Sequence, residues 1–209
     1  MTDRSGISEM LRTLRAEIER DDRIREEVLP LTREVVRLCA LSVKETHRGH
    51  YDQSEELLRN AKQTMEEAST CVSRSEYVSR ARLLDAAYQE LSEACNLISL
   101  MKGEGLVRPE EYRIPTRPYL NGIADCIGEL RRAALDCLRN GKISRGEEIL
   151  SIMEDLFDEL NTFDFPSALV PELRRKCDVA RGLIERTRGE VTLAVLQEKL
   201  AEDIRGCKR

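Results

Sequence analysis

The sequence predicts an all-α protein, a single-domain bundle of about six or seven helices over residues 1–209. Three observations predict this fold. Apolar residues recur at steps of three and four along most of the 209-residue chain, which is the period of a helix. Charged residues make up 35% of the chain and aromatic residues only 4%, a composition typical of long helices rather than sheets. The 11 glycines and six prolines leave few breaks between helices.

Charge and hydropathy exclude several classes of protein. The chain carries 34 Lys and Arg against 39 Asp and Glu, for a formal net charge of −5. This balance argues against a uniformly basic nucleic-acid binder, although a local basic stripe remains compatible with it. No apolar run reaches the roughly 18 residues of a membrane span, and the first residues lack the apolar core of a signal peptide. We therefore expect a soluble, cytoplasmic protein with no membrane partner.

Helices are predicted along the whole chain, with frayed ends at residues 1–6 and 206–209. The first helix covers residues 7–46, where Pro30 predicts a kink or a new first turn. Residues 47–51 form a turn, after which Asp52 or Ser54 caps a second helix.

Glycines and prolines mark the later boundaries. A third helix ends at Gly103, three prolines lie in the connection that follows, and a fourth helix ends at Gly141. The third to last helices are predicted at residues 75–102, 119–140, 145–160, 172–188 and 191–204. Residues 107–118 are predicted to form the connection between the third and fourth helices, and residues 161–171 a loop. No repeat and no change in composition divides the chain, so the helices predict one bundle.

Two pairs of acidic residues lie on the central helices. Glu90 and Glu93 are three residues apart on the third predicted helix, and Asp125 and Glu129 are four apart on the fourth. Each spacing places its pair on one helix face, among small or apolar neighbours, where carboxylates need a positive partner. If the two helices face each other, the four carboxylates supply the oxygen ligands that Mg²⁺ or Mn²⁺ prefers. Such ions are the usual apparatus for cleaving a phosphodiester.

A simpler interpretation competes with the metal site. In a chain with 39 acidic residues, the same spacings also occur on solvated helix faces, and Arg131 or Arg132 could neutralise the acids as ordinary ion pairs. A di-iron bundle is disfavoured, because neither histidine follows a glutamate at the ExxH spacing of such sites.

Four arginines offer a second signal. Arg33 and Arg37 lie on one face of the first predicted helix, and Arg80 and Arg82 lie near the start of the third. Such a stripe could bind the phosphate backbone of RNA beside the acids. The alternative is a solvated charged face.

The cysteines, the histidines and Tyr119 are predicted to be structural. The seven cysteines form no CxxC pair, so we expect reduced core thiols. A zinc site is not expected, because His47 and His50 lie near no cysteine. Both histidines are predicted in an exposed turn, and Tyr119 is predicted to pack at the start of the fourth helix.

Two segments resemble those of the translin and translin-associated factor X (Trax) family. The run YLNGIADCIGEL at residues 119–130 is similar to the family's DYLLGVADLTGEL-type segment, and QELSEA at residues 89–94 is similar to its QEYVEA-type segment. Residues 22–44 and 188–190 are more loosely similar. The resemblance implies an all-α bundle of about seven helices that assembles into a hollow, roughly octameric shell with RNA inside.

The resemblance also distinguishes two branches of the family. Translin binds nucleic acid but lacks the acids, whereas Trax carries them and is an Mg²⁺-dependent endoribonuclease. Four residues match the Trax acids position by position: Glu90, Glu93, Asp125 and Glu129. This sequence departs from the family at Pro118, which replaces an aspartate, and at residues 79–82, where arginines replace a histidine- and aromatic-containing RNA-contact segment.

The leading hypothesis is a metal-dependent endoribonuclease that works inside a homo-oligomeric shell, with an octamer as the expected state. The four acids would hold Mg²⁺ or Mn²⁺, and Arg33, Arg37, Arg80 and Arg82 would position RNA, mainly single-stranded, with short duplexes as a further partner. Two alternatives stay open at this point: a non-catalytic translin-like scaffold that binds RNA or DNA, and an all-α nucleoside-triphosphate pyrophosphohydrolase.

Overall fold

The computed structural model describes the backbone of residues 4–207 and the side chains of residues 6–205. This part of the chain contains seven α-helices, one short 3-10 turn (Pro109–Glu111) and no strand. The α-helices are α1 (Arg4–His47), α2 (Tyr51–Val72), α3 (Glu76–Arg80), α4 (Asp85–Lys102), α5 (Thr116–Arg139), α6 (Ile143–Asn161) and α7 (Leu173–Cys207). The all-α prediction is confirmed.

Helix α5 occupies the centre of the bundle. It packs against α4 on one side and against α6 and α7 on the other, while α1 packs along α2 and α4. Leu91 and Leu97 on α4, Ile127 and Leu130 on α5, and Met153 on α6 are completely buried at these contacts. Burying side chains of this size contributes about 2 kcal/mol each, so packing rather than helix propensity holds α4 and α5 together.

Two predicted helix ends are confirmed by left-handed glycines. Gly103 ends α4 with φ 80°, and Gly141 follows the end of α5 with φ 71°. A residue with a Cβ adopts this conformation only at a cost.

The predicted third helix over residues 75–102 is wrong as one element. Ser75 caps the short α3 by accepting a hydrogen bond from the Val78 amide. Residues 81–84 then form a turn in which Arg82 has φ 57°, so α4 begins only at Asp85. The turn allows the side chains of both Val78 and Leu84 to be buried in the core.

The two helices predicted at residues 172–188 and 191–204 are one helix, α7. An isolated glycine inside a helix costs only about 1 kcal/mol, and the neighbours of Gly189 offset this cost. Thr187 and Val191 are buried, and Arg188 pairs with Glu154 of α6. The predicted break at Gly189 therefore does not occur.

Helix α1 is likewise continuous across Pro30, so the alternative of a new first turn there is wrong. Buried Val28 and Val35 on either side hold the helix against the core. The fraying predicted at residues 1–6 and 206–209 stays a prediction: α1 and α7 extend to Arg4 and Cys207, and residues 1–3 and 208–209 lie outside the described residues.

Three smaller expectations concern the core and the membrane. Tyr119 packs as predicted, and its hydroxyl donates to the Val107 carbonyl, with Asn96 Oδ1 3.4 Å from the hydroxyl oxygen. The six cysteines with described side chains are free thiols. Four of them are buried, and Cys71 and Cys137 are half-buried. Within residues 4–207 there is no helix whose length and hydropathy would let it cross a membrane.

Candidate functional site

Helices α4 and α5 approach each other closely at Gly122. A Cβ on this residue would lie 2.5 Å from the Gln89 carbonyl oxygen and 2.5 Å from the Ser92 Cβ, so only glycine fits. On α5, Asp125 lies one turn after Gly122, and on α4 the acids Glu90 and Glu93 lie next to the contacting residues Gln89 and Ser92. The close approach therefore brings both acid pairs to the α4–α5 contact, where the charges of Asp125 and Glu129 act on Glu90 and Glu93.

Asp125 of the α5 pair is held by two neighbours. Lys176 of α7 places its Nζ 2.5 Å from Oδ1 and 2.7 Å from Oδ2. Gln89 of α4 donates from Nε2 to Oδ2 at 2.7 Å. The Lys176 side chain is only 11% exposed, so this ion pair is largely shielded from water.

Glu129, the other member of the α5 pair, is held by a histidine. The Nε2 of His47 lies 2.6 Å from its Oε2, and Arg132 approaches the same oxygen at 3.6 Å. The hydrogen bond from His47, followed by the charges of His47 and Arg132, lowers the pKa of Glu129. Arg131, considered as a partner for these acids, instead pairs with Glu190.

The prediction that His47 lies in an exposed turn is wrong. It is the last residue of α1, and its side chain is 6% exposed. The end of α1 is buried because Ser42 and Thr46 form a hydrogen-bonded group with Ser54 of α2. His50, by contrast, is 55% exposed and bonds only to Glu45 among the described residues.

The α4 pair lacks comparable partners. Within the described chain, neither Glu90 nor Glu93 forms an ion pair, although the Lys176 charge acts on both carboxyls. Burial, and then repulsion by Glu90, Asp125 and Glu129, raises the pKa of Glu93 to about 8. Burial and repulsion by Asp125 also raise the pKa of Glu90. All four carboxylates are half-buried and repel one another across the α4–α5 contact.

The donor atoms of the four acids suit a hard divalent cation, but their side chains are not arranged around a common point. Their donors are all carboxylate oxygens, which suit Mg²⁺ or Mn²⁺. No three His, Cys, Asp or Glu side chains in the described part of the chain already form a group that could hold a metal ion. Glu90 and Glu93 are the acids for which a bound cation would relieve the largest cost, because burial and neighbouring carboxylates raise the pKa of both.

The four predicted RNA-binding arginines lie on the surface, apart from the acids. Arg37 pairs with Glu34, Arg80 with Glu76, and Arg82 with Asp85. Arg33 is also exposed. No described hydrogen bond or ion pair connects any of the four to the acid cluster, so their role toward RNA stays a prediction.

Three residues of the site carry no signal of their own in the sequence. His47 and Lys176 lie 82 and 51 residues from the acids they contact. Gln89 lies beside Glu90 in the QE motif, but its contact with Asp125 depends on how α4 and α5 pack. Only the positions of the acids on their helix faces could be found from spacing.

Together, the fold and the site define a class of protein: an all-α bundle that gathers four carboxylates, a lysine and a histidine around its central helix. The chain belongs to the Translin family, whose sequence model matches residues 6–187. A relative from Methanocaldococcus jannaschii, the uncharacterised protein MJ0175, is 31% identical over 186 residues, which are 88% of this chain and 82% of the relative.

Solved structures of C3PO proteins share the fold. AfC3PO in complex with duplex RNA is 32% identical, with a TM-score of 0.82 over 90% of this chain and 97% of that chain. AfC3PO alone is 33% identical, with a TM-score of 0.82 over 90% of this chain and 98% of the other. The apo-NeC3PO structure, 20% identical with a TM-score of 0.78 over 88% and 96% of the two chains, supports the fold alone.

Proposed function

We propose that this protein is a metal-dependent endoribonuclease that cleaves RNA inside a homo-oligomeric shell. The observation that carries the proposal is the acid cluster at the α4–α5 contact, where Glu90 and Glu93 are half-buried and repel their neighbours without an ion-pair partner of their own in the described chain. Membership of the Translin family and similarity to a C3PO bound to duplex RNA support RNA as the substrate.

Each residue of the cluster has a distinct part in this proposal. Glu90 and Glu93 would hold Mg²⁺ or Mn²⁺, with Glu129 and Asp125 completing the set from α5. When bound, such an ion lowers the pKa of a water and stabilises charge that develops on the phosphate. His47 orients Glu129, and Lys176 and Gln89 orient Asp125, so that the α5 oxygens are fixed before RNA arrives.

Cleavage of single-stranded RNA with Mg²⁺ tests this function. Glu90→Gln and Glu93→Gln preserve side-chain volume, and each is expected to lower the cleavage rate by at least about 100-fold, because a metal contributes several kcal/mol of charge stabilisation. The exposed acid Glu67 on α2 supplies the control, since Glu67→Gln should cleave like the wild type. Wild-type rates in both α4 variants would remove the mechanism.

A translin-like binding scaffold is the second candidate function. It is favoured by one specific observation: Lys176 forms an ion pair with Asp125 and His47 contacts Glu129 at 2.6 Å, as in a purely structural network. RNA binding that persists in EDTA, with no product under any metal, would support the scaffold. The Translin family match favours both of these functions over a pyrophosphohydrolase.

RNA binding by the four arginines is a separate part of the proposal. Arg33→Ala, Arg37→Ala, Arg80→Ala and Arg82→Ala should each weaken RNA binding similarly for all sequences and lower the salt dependence by about one charge. Arg139, which pairs with Asp136 at the far end of α5, supplies the control. Equal salt dependence in all five variants would place RNA elsewhere on the protein.

A homo-oligomer, with an octamer as the expected state, is supported by exposed apolar side chains at both projecting helix ends. On α1 and α7 these side chains are 47–69% exposed: Ile7, Met10, Leu11, Leu14 and Ile18, and Leu193, Leu196, Leu200 and Ile204. Patches of this kind mark subunit interfaces. Light scattering should give a large assembly for the wild type and a smaller one for Leu196→Glu.

A further inference from the structure

Among the described ion pairs, Lys176 is the only lysine or arginine that contacts both carboxylate oxygens of an acid in the cluster. It lies in the first turns of α7, where the buried side chains of Leu173, Cys177 and Ala180 fasten the helix to the core. These neighbours fix the Lys176 backbone beside α5. Its side chain is 11% exposed and its ammonium group contacts both oxygens of Asp125.

The Lys176 charge is shared unequally between the two acid pairs. Asp125 accepts two hydrogen bonds from Lys176 and one from Gln89, so both of its oxygens are engaged. The same ammonium lowers the pKa of Glu90 and Glu93 against the effects of burial and repulsion, but it forms no ion pair with either. In the described chain, the Lys176 ammonium is therefore paired with Asp125, and no cation is paired with Glu90 or Glu93.

This asymmetry limits the number of ions that the site can take. Two-metal sites place their ions about 3.5–4 Å apart and bridge them with shared oxygens. A second ion beside Asp125 would lie against the Lys176 ammonium and would repel it. On the α4 side the Lys176 charge acts on Glu90 and Glu93, but the ammonium contacts Asp125 and engages no oxygen of either glutamate in the described chain.

We propose that Lys176 is the built-in cation of this site: its ammonium takes the position that a second divalent ion would need beside Asp125, so each chain binds one divalent ion rather than two. The inference rests on the proposed function, because it concerns the same acids. It makes Lys176 a positioning residue that also sets metal stoichiometry. The alternative is an ordinary ion pair that opens when two ions enter.

Metal stoichiometry in the full chain tests this inference directly. Metal-free protein is titrated with Mn²⁺ by calorimetry, and the bound ions are counted by electron paramagnetic resonance, where two neighbouring Mn²⁺ ions give a coupled spectrum. Wild type is expected to bind one ion per chain with an uncoupled spectrum. Lys176→Met, which keeps the length of the side chain but removes its charge, should bind two.

Matched variants separate the charge of Lys176 from its shape and position. Lys176→Arg keeps a cation and should still bind one ion. Arg175→Met removes the neighbouring exposed charge, which pairs with Glu172, and should also bind one. If Lys176→Met fails to fold by circular dichroism, Lys176→Gln replaces it.

The outcomes distinguish this inference from the proposed function. Two ions per wild-type chain, or one ion in well-folded Lys176→Met, would overturn the inference and leave the nuclease proposal intact. No Mn²⁺ binding by the wild type would overturn the proposed function and the inference with it. A wild-type count of two ions would overturn the inference without any variant, whereas a wild-type count of one ion supports it only together with two ions in Lys176→Met.

Discussion

The two acid pairs at the α4–α5 contact share a residue type and a helical spacing, yet their surroundings differ. On α5, Asp125 is paired with Lys176 and Glu129 with His47. On α4, Glu93 keeps a pKa of about 8 because burial and three neighbouring carboxylates oppose its ionisation. The comparison teaches that each acid of the α5 pair has a partner within the protein, whereas neither acid of the α4 pair forms an ion pair in the described chain.

This difference assigns distinct tasks to the two helices. The α5 side is preorganised, since its carboxylates are fixed by hydrogen bonds from α1, α4 and α7. The α4 side stores electrostatic repulsion that a divalent ion would relieve. Four variants break or sharpen the comparison.

Gly122→Ala is expected to have the largest effect, because it separates the two pairs. The new Cβ would meet the Gln89 backbone and the Ser92 side chain at 2.5 Å, so α4 and α5 must move apart at a cost of about 3 kcal/mol. Urea unfolding measures the loss. Gly128 on the same helix is the control, since its nearest neighbour would be a Leu183 methyl group at 3.9 Å. Equal stability of the two variants would contradict the close contact.

Asp125→Asn tests the neutralised α5 pair. The amide leaves the buried Lys176 ammonium without its counter-ion, and we expect a loss of about 2–3 kcal/mol in unfolding free energy. The double variant Asp125→Asn/Lys176→Met should recover much of this loss. The α4 counterpart Glu90→Gln should not destabilise the metal-free protein. A similar loss in Glu90→Gln would mean that the two pairs do not differ.

Glu93→Gln tests the uncompensated α4 pair by its dependence on pH. The folded pKa of about 8 lies above the ordinary value, so the wild type loses stability as pH rises from about 5 to 8, where only the unfolded chain releases the proton. The neutral variant escapes this loss. In EDTA it should match the wild type at pH 5 and exceed it by about 1–2 kcal/mol at pH 9, as measured by urea unfolding.

The sign of the Glu93→Gln effect is the critical result. If the variant were less stable than the wild type at pH 9, the Glu93 carboxylate would have a favourable partner, contrary to its surroundings. Added Mn²⁺ should reverse the order at pH 9, because only the wild type offers the carboxylate to the ion.

His47→Ala has the smallest expected effect on stability, about 1 kcal/mol for the lost hydrogen bond to Glu129. Its effect on Mn²⁺ affinity should be larger, about 10–100-fold, because Glu129 would no longer be oriented. His50→Ala is the matched control, since His50 is 55% exposed and contacts Glu45 rather than the cluster. Equal Mn²⁺ affinity in both histidine variants would show that His47 does not position Glu129.

Much of the fold follows from local patterns in the sequence. The step of three and four predicted helices throughout, and Gly103 and Gly141 predicted two of their ends. The breaks were predicted less well. A left-handed Arg82 interrupts the predicted third helix, whereas Gly189 leaves α7 uninterrupted. Both outcomes depend on tertiary burial, of Val78 and Leu84 in the first case and of Thr187 and Val191 in the second.

The sequence by itself determined that Glu90 with Glu93, and Asp125 with Glu129, share a helix face, because the period of the helix is a local property of the backbone. Only the tertiary structure decided which of these acids have partners. Lys176 and His47 reach them from 51 and 82 residues away, through the packing of α7 and α1 against the centre of the bundle. Contacts between helices depend on the relative position of whole rows of side chains, and no local spacing encodes that position.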